Sequence, residues 1–248
     1  MSSGLHVDRG GSGPRTLLLL HGMGASGAVW SDLGALLGDE WTWIAPDLPG
    51  HGDSPSAGSY RYDTMAAALA PLVEGADDVT VLGHSLGGAI ALALAASRPD
   101  LGIQSVIGTS IKARWTPDEV NGLAAIAAKP ARVFIDRADA ATWALRIAGL
   151  AGLVAPDAPA AARLVAAIDG GWRAAFDPAV GTIGAPDVAG SVRVLCERDV
   201  RITLVSGEHD TMAPVEDLAA ILPGARTLAG VGHNVPSERP EALLDLID

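Results

Sequence analysis

Short apolar runs alternate with longer segments of helical periodicity along most of the chain. The short runs are mostly apolar on both faces, as in a parallel sheet covered by helices, and predict strands at 17–20, 41–45, 79–82, 103–107, 202–205 and 226–228. The longer segments predict helices at 29–37, 65–73, 86–97, 215–222 and 240–247. This alternation predicts an α/β fold, with a mostly parallel central sheet covered by helices on both faces.

The alternation stops between residues 111 and 180, where the patterns are helical and no clear strand intervenes. Helical patterns lie at 119–128, 140–150 and 160–168. A segment of about 70 residues is too long for a plain connection in a compact domain. We therefore predict a helical cap, 111–180, inserted into a core made of 1–110 and 181–248. The alternative is that these helices belong to the main layer of the fold.

Composition and charge exclude several classes of protein. Hydrophobic residues make up 49% of the chain and charged residues 19%, which is enough apolar material for a sizeable core. The net charge of -12 disfavours nucleic acid and anionic membranes as partners. The chain shows neither a signal-peptide pattern nor an apolar run of about 20 residues. We expect a cytoplasmic monomer or homodimer.

The single cysteine, Cys196, has no second cysteine in the chain with which to form a disulfide or a metal site. Nothing near it in the sequence suggests a lowered thiol pKa. We expect it to be a small buried side chain.

The segment Gly83-His84-Ser85-Leu86-Gly87 lies between a predicted strand and a predicted Ala-rich helix. A strand that turns directly into a helix strains the central residue and exposes its side chain above the sheet edge. The two glycines allow the strand and the helix to approach closely. These features make Ser85 a candidate nucleophile; the alternative is an ordinary helix N-cap.

A serine hydroxyl needs a base, and the base needs a carboxylate to hold its tautomer. His233 follows the last predicted strand, and Asp210 follows the strand predicted at 202–205. Both therefore lie at the carboxyl edge of the sheet, where open α/β sheets bind ligands. Glu208 and Asp199 compete with Asp210 for the role of the carboxylate.

The order Ser85, Asp210, His233, each after its own strand, resembles that of the α/β-hydrolase fold superfamily. Residues 21–24 (HGMG) are similar to the oxyanion segment of that family, which begins with His-Gly. Residues 47–54 (DLPGHGDS) resemble its D-x-x-G-x-G-x-S loop. The resemblance extends over essentially the whole chain and is specific at the level of the superfamily.

Two further segments bear on the resemblance. The insertion 111–180 stands where the family carries its cap. Residues 199–201 (DVR) depart from the family, because many relatives approach this strand with an apolar, proline-containing segment. This departure does not move Asp210 relative to the preceding strand.

The resemblance implies a role for each matched residue. Ser85 would attack a carbonyl carbon, His233 would accept its proton, and Asp210 would orient His233. The backbone N–H groups of Met23 and Leu86 would stabilise the oxyanion. The resemblance implies neither a metal nor an organic cofactor.

The predicted cap is rich in aromatic residues. We expect Trp115, Trp143, Trp172 and Phe134, together with Met23, to form an apolar substrate pocket. The equally weighted alternative is that the aromatic residues form the core of the cap itself. We expect His21 and His51 to bind the backbone of their glycine-rich loops.

The resemblance implies a serine hydrolase for carboxylic esters or lactones of small, fairly apolar substrates. A C–C bond hydrolase or a cofactor-free, haloperoxidase-like perhydrolase could use the same triad. A slow-turnover receptor for small molecules is the alternative from a different class. Ser85 disfavours epoxide hydrolases and haloalkane dehalogenases, which have aspartate at this position.

Overall fold

A computed structural model describes residues 4–247 of the chain. The strands are β1 (Val7–Gly11), β2 (Arg15–Leu20), β3 (Trp41–Pro46), β4 (Val79–His84), β5 (Ile103–Thr109), β6 (Val165–Ile168), β7 (Gly171–Ala174), β8 (Arg201–Gly207) and β9 (Arg226–Leu228). The helices are α1 (Ser31–Leu36), α2 (Tyr62–Leu69), α3 (Leu86–Ser97), α4 (Pro117–Ala127), α5 (Arg137–Ile147), α6 (Pro159–Ala162), α7 (Val188–Cys196), α8 (Val215–Ala219), α9 (Val235–Glu238) and α10 (Leu244–Ile247).

Seven strands form the central sheet, in the order β1-β3-β2-β4-β5-β8-β9. Its strands are parallel except β1, which pairs antiparallel with β3. The predicted α/β fold is therefore confirmed. The prediction missed β1 because Val7 is followed by polar residues and glycines, and this edge strand is half-buried and partly exposed.

Helices pack on both faces of the sheet. Strand β2 is an example, because its leucine side chains are buried on both sides. Leu18 and Leu20 pack in the cluster that contains α2, α3 and α7. Leu17 and Leu19 pack in the opposite cluster, which contains Trp30. Alternate side chains of a strand point to opposite faces, so a strand covered on both sides carries an unbroken apolar run.

Three helices and a hairpin lie between β5 and the 3-10 turn at Pro178–Thr182. The predicted helix at 160–168 is wrong: α6 ends at Ala162, and β6 pairs antiparallel with β7. The turn between these strands is Asp169-Gly170, with Gly170 at φ 84°. An Asp-Gly pair between two short runs is a hairpin signal that the helical interpretation overlooked.

Helix α7 and its last residue also differ from expectation. This helix was not predicted from the sequence. Its first turn is capped by the Asp187 carboxylate, which accepts the Gly190 N–H at 2.8 Å. Cys196 ends the helix and is exposed, so the expectation that it is buried was wrong.

Arg163, which lies between α6 and β6, ties this region to the sheet. Its guanidinium donates to the Asp47 carboxylate at 2.6 Å and also binds Asp8 in β1. The Asp47 side chain is fully buried and accepts two further bonds, from the Gly27 and Asp53 N–H groups. Burial alone would raise the pKa of Asp47, but the Arg163 hydrogen bond and the other contacts lower it.

Replacing Arg163 with methionine should strongly destabilise the protein. The substitution would leave the Asp47 charge buried without its cation, which typically lowers the free energy of unfolding by about 3 to 5 kcal/mol. Urea denaturation measures this change. Arg61→Met is the matched control, because Arg61 pairs with Asp63 in full exposure. Equal small effects of the two substitutions would contradict the stabilising role of Arg163.

Candidate active site

Ser85 occupies the single residue between β4 and α3. Its backbone has φ 51° and ψ -113°, in the left-handed region that L-residues with side chains rarely adopt. Such a conformation typically stores about 1 to 3 kcal/mol of strain and persists only where the surroundings enforce it. The Ser85 N–H donates to the Thr109 carbonyl of β5 at 2.8 Å, which fixes the turn against the sheet.

The two flanking glycines are required by the closeness of the packing. A Cβ on Gly83 would lie 2.4 Å from the Gly87 carbonyl oxygen, and one on Gly87 would lie 2.3 Å from the Leu20 carbonyl oxygen. Both distances are far shorter than van der Waals contact. The glycine spacing seen in the sequence therefore has a steric cause.

Asp210 and His233 form a hydrogen-bonded pair at the carboxyl edge of the sheet. His233 Nδ1 lies 2.9 Å from Asp210 Oδ2. The other carboxylate oxygen accepts the Met212 and Ala213 N–H groups at 2.9 and 3.0 Å, and Ser206 Oγ donates to Oδ2 at 3.2 Å. Burial alone would raise the pKa of Asp210, but the hydrogen bond and charge of His233, with a smaller contribution from the Ala213 N–H, lower it to about 2. Asp210 therefore stays ionised at neutral pH.

The other two candidate carboxylates lie elsewhere. Glu208 is exposed and accepts the Gly230 N–H at 2.8 Å. Asp199 is also exposed, in a left-handed turn at φ 57° before β8. Of the three carboxylates considered from the sequence, Asp210 is the one that contacts His233.

Ser85 and His233 line the same cavity. The Asp210 carboxylate is hydrogen-bonded to Nδ1 of the His233 imidazole. Nε2 is therefore the ring nitrogen that could accept a proton. Within the described part of the chain, no hydrogen bond joins the Ser85 hydroxyl to His233. Catalytic hydrogen bonds are often long before substrate binds and shorten in the complex.

His84 connects the turn at Ser85 to the loop that carries His233. His84 Nε2 donates to the His233 carbonyl oxygen at 2.8 Å, and the two rings lie 5.0 Å apart. The sequence pattern gave no indication of this contact. Burial, with a smaller contribution from the charge of His233, lowers the pKa of His84 to about 3, so this side chain is neutral.

We expect His84→Phe to lower kcat about tenfold or more with a smaller effect on KM, because the His233 loop loses its anchor. His84→Gln, whose amide can still donate, should restore most of the activity. Steady-state kinetics on a substrate of the enzyme separates kcat from KM. Equal losses in the two variants would contradict a positioning role for His84.

Two backbone amides belong to residues that line the same cavity as Ser85. Leu86 is the first residue of α3, so its N–H has no partner within the helix. Met23 lies in the turn after β2, and both residues line the cavity. Among residues 4–247, neither N–H donates to another protein atom. The N-terminus of α3 also favours negative charge at this point.

The cavity has a volume of about 280 Å³ and a mostly apolar lining. Of the predicted pocket residues, Met23 and Trp115 line it. Aliphatic side chains that the sequence analysis did not single out contribute much of the rest, among them Leu123, Ile147, Ile183 and Met212. Nothing in the sequence distinguished these from ordinary core positions.

The remaining predicted pocket residues, Trp143, Trp172 and Phe134, do not line this cavity. Phe134 and Trp172 exchange backbone hydrogen bonds at 2.7 and 2.8 Å and pack against the apolar cluster formed by α5 and β6. The Trp143 ring lies 6.4 Å from the Phe134 ring. These three therefore correct the prediction that they line the cavity at Ser85: Phe134 and Trp172 fit the alternative of a core for the segment 111–180, and Trp143 lines a separate surface pocket.

His21 and His51 bind the backbone of their loops, as predicted. His21 Nδ1 donates to the Gly22 carbonyl at 2.8 Å, and His21 Nε2 accepts the Leu48 N–H at 2.9 Å. His51 Nδ1 lies 3.1 Å from the Pro49 carbonyl. Burial lowers the pKa of both, that of His51 to about 3.

The three buried histidines, His21, His51 and His84, should make the protein unstable in acid. Their pKa values are lowered from the ordinary 6.5, so the unfolded chain binds more protons than the folded protein below that pH. The contribution of these neutral histidines to the free energy of unfolding is therefore fully present above pH 6.5 and is lost as the pH falls towards 3. Each histidine contributes up to about 1.4 kcal/mol per pH unit.

Urea denaturation between pH 7.5 and 5 measures this loss of stability. His51→Asn should reduce its slope, and replacing the exposed His209 in the same way should not. A free energy of unfolding that stays constant over this range would contradict the neutral state of the buried histidines.

One group of possible metal ligands lies outside the cavity. His6, Asp47 and Asp53 place ligand atoms within 4.8 Å of one another. The Arg163 guanidinium already binds Asp47 and lies 3.8 Å from Asp53. A cation is thus already present beside these carboxylates, and the group fits a structural ion-pair network.

Comparison with known proteins agrees with this fold. The alpha/beta hydrolase family matches residues 17–246, and the chain therefore belongs to this family. In the part of the chain that the structure describes, no helix has the length and apolar character needed to cross a bilayer.

Two relatives match the chain over shorter segments. Lipase LipV of Mycobacterium tuberculosis is 48% identical over 99 residues, which cover 39% of this chain and 38% of the lipase. A pimeloyl-[acyl-carrier protein] methyl ester esterase of Neisseria meningitidis is 42% identical over 113 residues, which cover 45% of this chain and 35% of the esterase. The matches thus span little more than a third of each relative's length.

Solved structures match over nearly the full length. The thioesterase domain from the curacin biosynthetic pathway has a TM-score of 0.78 and 25% identity, covering 98% of this chain and 94% of that domain. An E-2-(acetamidomethylene)succinate hydrolase has a TM-score of 0.71 and 27% identity, covering 99% of this chain and 95% of that one.

Proposed function

We propose that the protein is a serine hydrolase that cleaves carboxylic ester or lactone bonds through an acyl-enzyme on Ser85. The observation that carries the proposal is that a strained serine and His233 line one apolar cavity. His233 is in turn hydrogen-bonded to Asp210, with 2.9 Å between Nδ1 and Oδ2. The relatives named lipase and esterase support the same activity.

The proposed reaction has two steps. Ser85 Oγ attacks the ester carbonyl carbon as His233 Nε2 takes its proton, and the proton then passes to the departing alcohol. Water, deprotonated by His233, next attacks the acyl carbon; the bond to Ser85 Oγ breaks as His233 returns the proton to that oxygen, and the acid is released. Asp210, ionised throughout, holds the imidazole with its proton on Nδ1 and stabilises the imidazolium.

The backbone of the proposed oxyanion hole supplies the electrostatic part of the catalysis. The Met23 and Leu86 N–H groups, which have no partner among the described residues, would donate to the negative oxygen of the tetrahedral intermediate. Each such donor is typically worth about 3 kcal/mol of barrier. Because both are backbone groups, substitution of the Met23 side chain would change the pocket and leave the donor in place.

The lining of the cavity indicates the substrate class. A volume of about 280 Å³ walled by Met23, Trp115 and aliphatic side chains fits a small apolar acyl or alcohol group. We therefore propose esters of short to medium chain length as substrates.

A panel of purified substrates tests the proposal. We expect many turnovers on p-nitrophenyl esters, with a maximum at short or medium chain length, and lower rates on lactones. Preference for a dienoate C–C substrate would favour a C–C bond hydrolase instead. A single slow turnover with a rise in Tm would favour a receptor, and no reaction with any substrate would contradict the proposal.

A further inference from the structure

A second pocket opens on the surface of the cap. Its volume is about 320 Å³, and six residues from α5 and the segment before it line it: Arg132, Phe134, Asp139, Thr142, Trp143 and Arg146. This set, which we call the cap pocket, combines two guanidinium groups with two aromatic rings. None of these residues has a role in the proposed reaction.

The cap pocket has a defined geometry. Asp139, Thr142, Trp143 and Arg146 follow one another at spacings of three, one and three residues, which places them on one face of α5. The Arg132 guanidinium lies over two rings, 4.8 Å from the centre of Phe134 and 5.0 Å from that of Trp143. Stacking holds the plane of the guanidinium and leaves its N–H groups available at the edge.

The two arginines share one pocket, and no salt bridge to a described carboxylate neutralises either of them. Within residues 4–247, neither Arg132 nor Arg146 forms a salt bridge, although the chain carries a net charge of -12. Lys112, which lines the main cavity, is in contrast paired with Glu119 at 2.8 Å. With Asp139 included, the cap pocket keeps an excess of one positive charge.

Arg146 connects the cap pocket to the cavity at Ser85. Its side chain lines both, next to Ile147, which lines the main cavity alone. A molecule whose apolar portion lies beside Ser85 can therefore reach a guanidinium at its far end. Guanidinium groups bind carboxylate and phosphate oxygens through paired N–H donors.

We propose that the cap pocket binds an anionic group of the substrate, a carboxylate or a phosphate, at the far end of an apolar chain whose ester bond lies at Ser85. This inference rests on the proposed ester hydrolysis and adds a substrate class to it. Arg146 binds the anion where the two cavities meet, and Arg132 adds a second guanidinium, held by Phe134 and Trp143. The excess of one positive charge matches a single anionic group.

A matched pair of substrates tests the inference. The pair is p-nitrophenyl octanoate and the p-nitrophenyl monoester of octanedioic acid, which differ in the terminal methyl or carboxylate. We expect kcat/KM for the charged ester to exceed that for the neutral ester about tenfold or more. The ratio should fall as salt is raised, because both arginines are exposed to solvent. An equally long ω-phosphono ester shows whether the pocket prefers phosphate chemistry.

Variants of the cap pocket assign the preference to its charges. Arg146→Gln and Arg132→Gln should each lower the ratio severalfold, and the double variant should bring it close to one. Asp139→Asn removes the opposing charge and should raise the ratio, a result that a purely structural role for the arginines would not produce. Arg137→Gln is the control, because Arg137 lies over Trp172 and does not line the pocket, and it should keep the wild-type ratio.

The outcomes separate this inference from the proposed function. Hydrolysis of both esters with a ratio near one, unchanged in the variants, would overturn the anion subsite and leave the esterase intact. Hydrolysis of neither ester would overturn the proposed function. In that case, the anion subsite is tested by calorimetric titration of the wild type and of Arg146→Gln with octanedioate and octanoate. The subsite is supported if the wild type binds octanedioate but not octanoate and Arg146→Gln binds neither. Any other result would overturn it.

Discussion

Ser85→Ala should reduce ester hydrolysis by at least about a thousandfold while leaving the thermal stability nearly unchanged. The Ser85 hydroxyl is half-buried at the edge of the cavity, and its loss removes no hydrogen bond to another described residue. The Ser85 N–H would still donate to Thr109, so the turn should keep its shape. Steady-state kinetics on an aryl ester and a thermal melt of the same sample measure both effects.

Ser97→Ala is the matched control for this experiment. Ser97 lies exposed in the last turn of α3, the helix that begins after Ser85, and its hydroxyl bonds only to carbonyls of that helix. We expect wild-type kinetics from it. If Ser85→Ala kept more than a few per cent of the wild-type activity, Ser85 would not be the nucleophile.

Asp210→Asn should lower kcat by about three to four orders of magnitude. The Met212 and Ala213 N–H groups require an oxygen at one side of the Asp210 side chain, so the asparagine amide nitrogen would face His233. His233 Nδ1 would then have to accept a hydrogen bond, which places the ring proton on Nε2. An imidazole protonated there cannot take the proton from Ser85.

The pH dependence of the wild type provides a second check on Asp210. Because its pKa is lowered to about 2, protonation of Asp210 should not limit kcat/KM above pH 3 wherever the protein stays folded. Glu208→Gln is the control, since Glu208 binds the Gly230 N–H outside the pair. If Asp210→Asn retained a tenth of the wild-type kcat, the orienting role of Asp210 would be wrong.

The parts of the fold that could be predicted are those with an unambiguous apolar period. The inner residues of β2 and β4 are buried on both faces, so their mostly apolar runs were predictable, although each strand is two residues longer than predicted. β1 has little apolar pattern because it is an edge strand. β6 and β7 are only four residues each, so periodicity does not distinguish them from a helix, and the Asp169-Gly170 turn between them is the signal that could have done so.

The residues of the candidate site also differ in how far they could be predicted from the sequence. Ser85 and its glycines were predictable because the backbone geometry allows few alternatives at those positions. The contact of His84 with the His233 carbonyl joins residues 149 positions apart, and no local pattern encodes it. The pocket lining was the least predictable part, since only packing decides whether Trp115 or Trp143 faces Ser85.

The most direct test of the proposed mechanism is covalent labelling with an alkyl phosphonofluoridate, followed by mass spectrometry of the intact protein and its peptides. Attack by Ser85 Oγ would form an O–P bond and release fluoride, with the serine proton accepted by His233. We expect one adduct per chain, located on the peptide that contains Ser85, and none in Ser85→Ala. An unlabelled wild-type protein, or an adduct on any other residue, would contradict the assignment of Ser85 as the nucleophile.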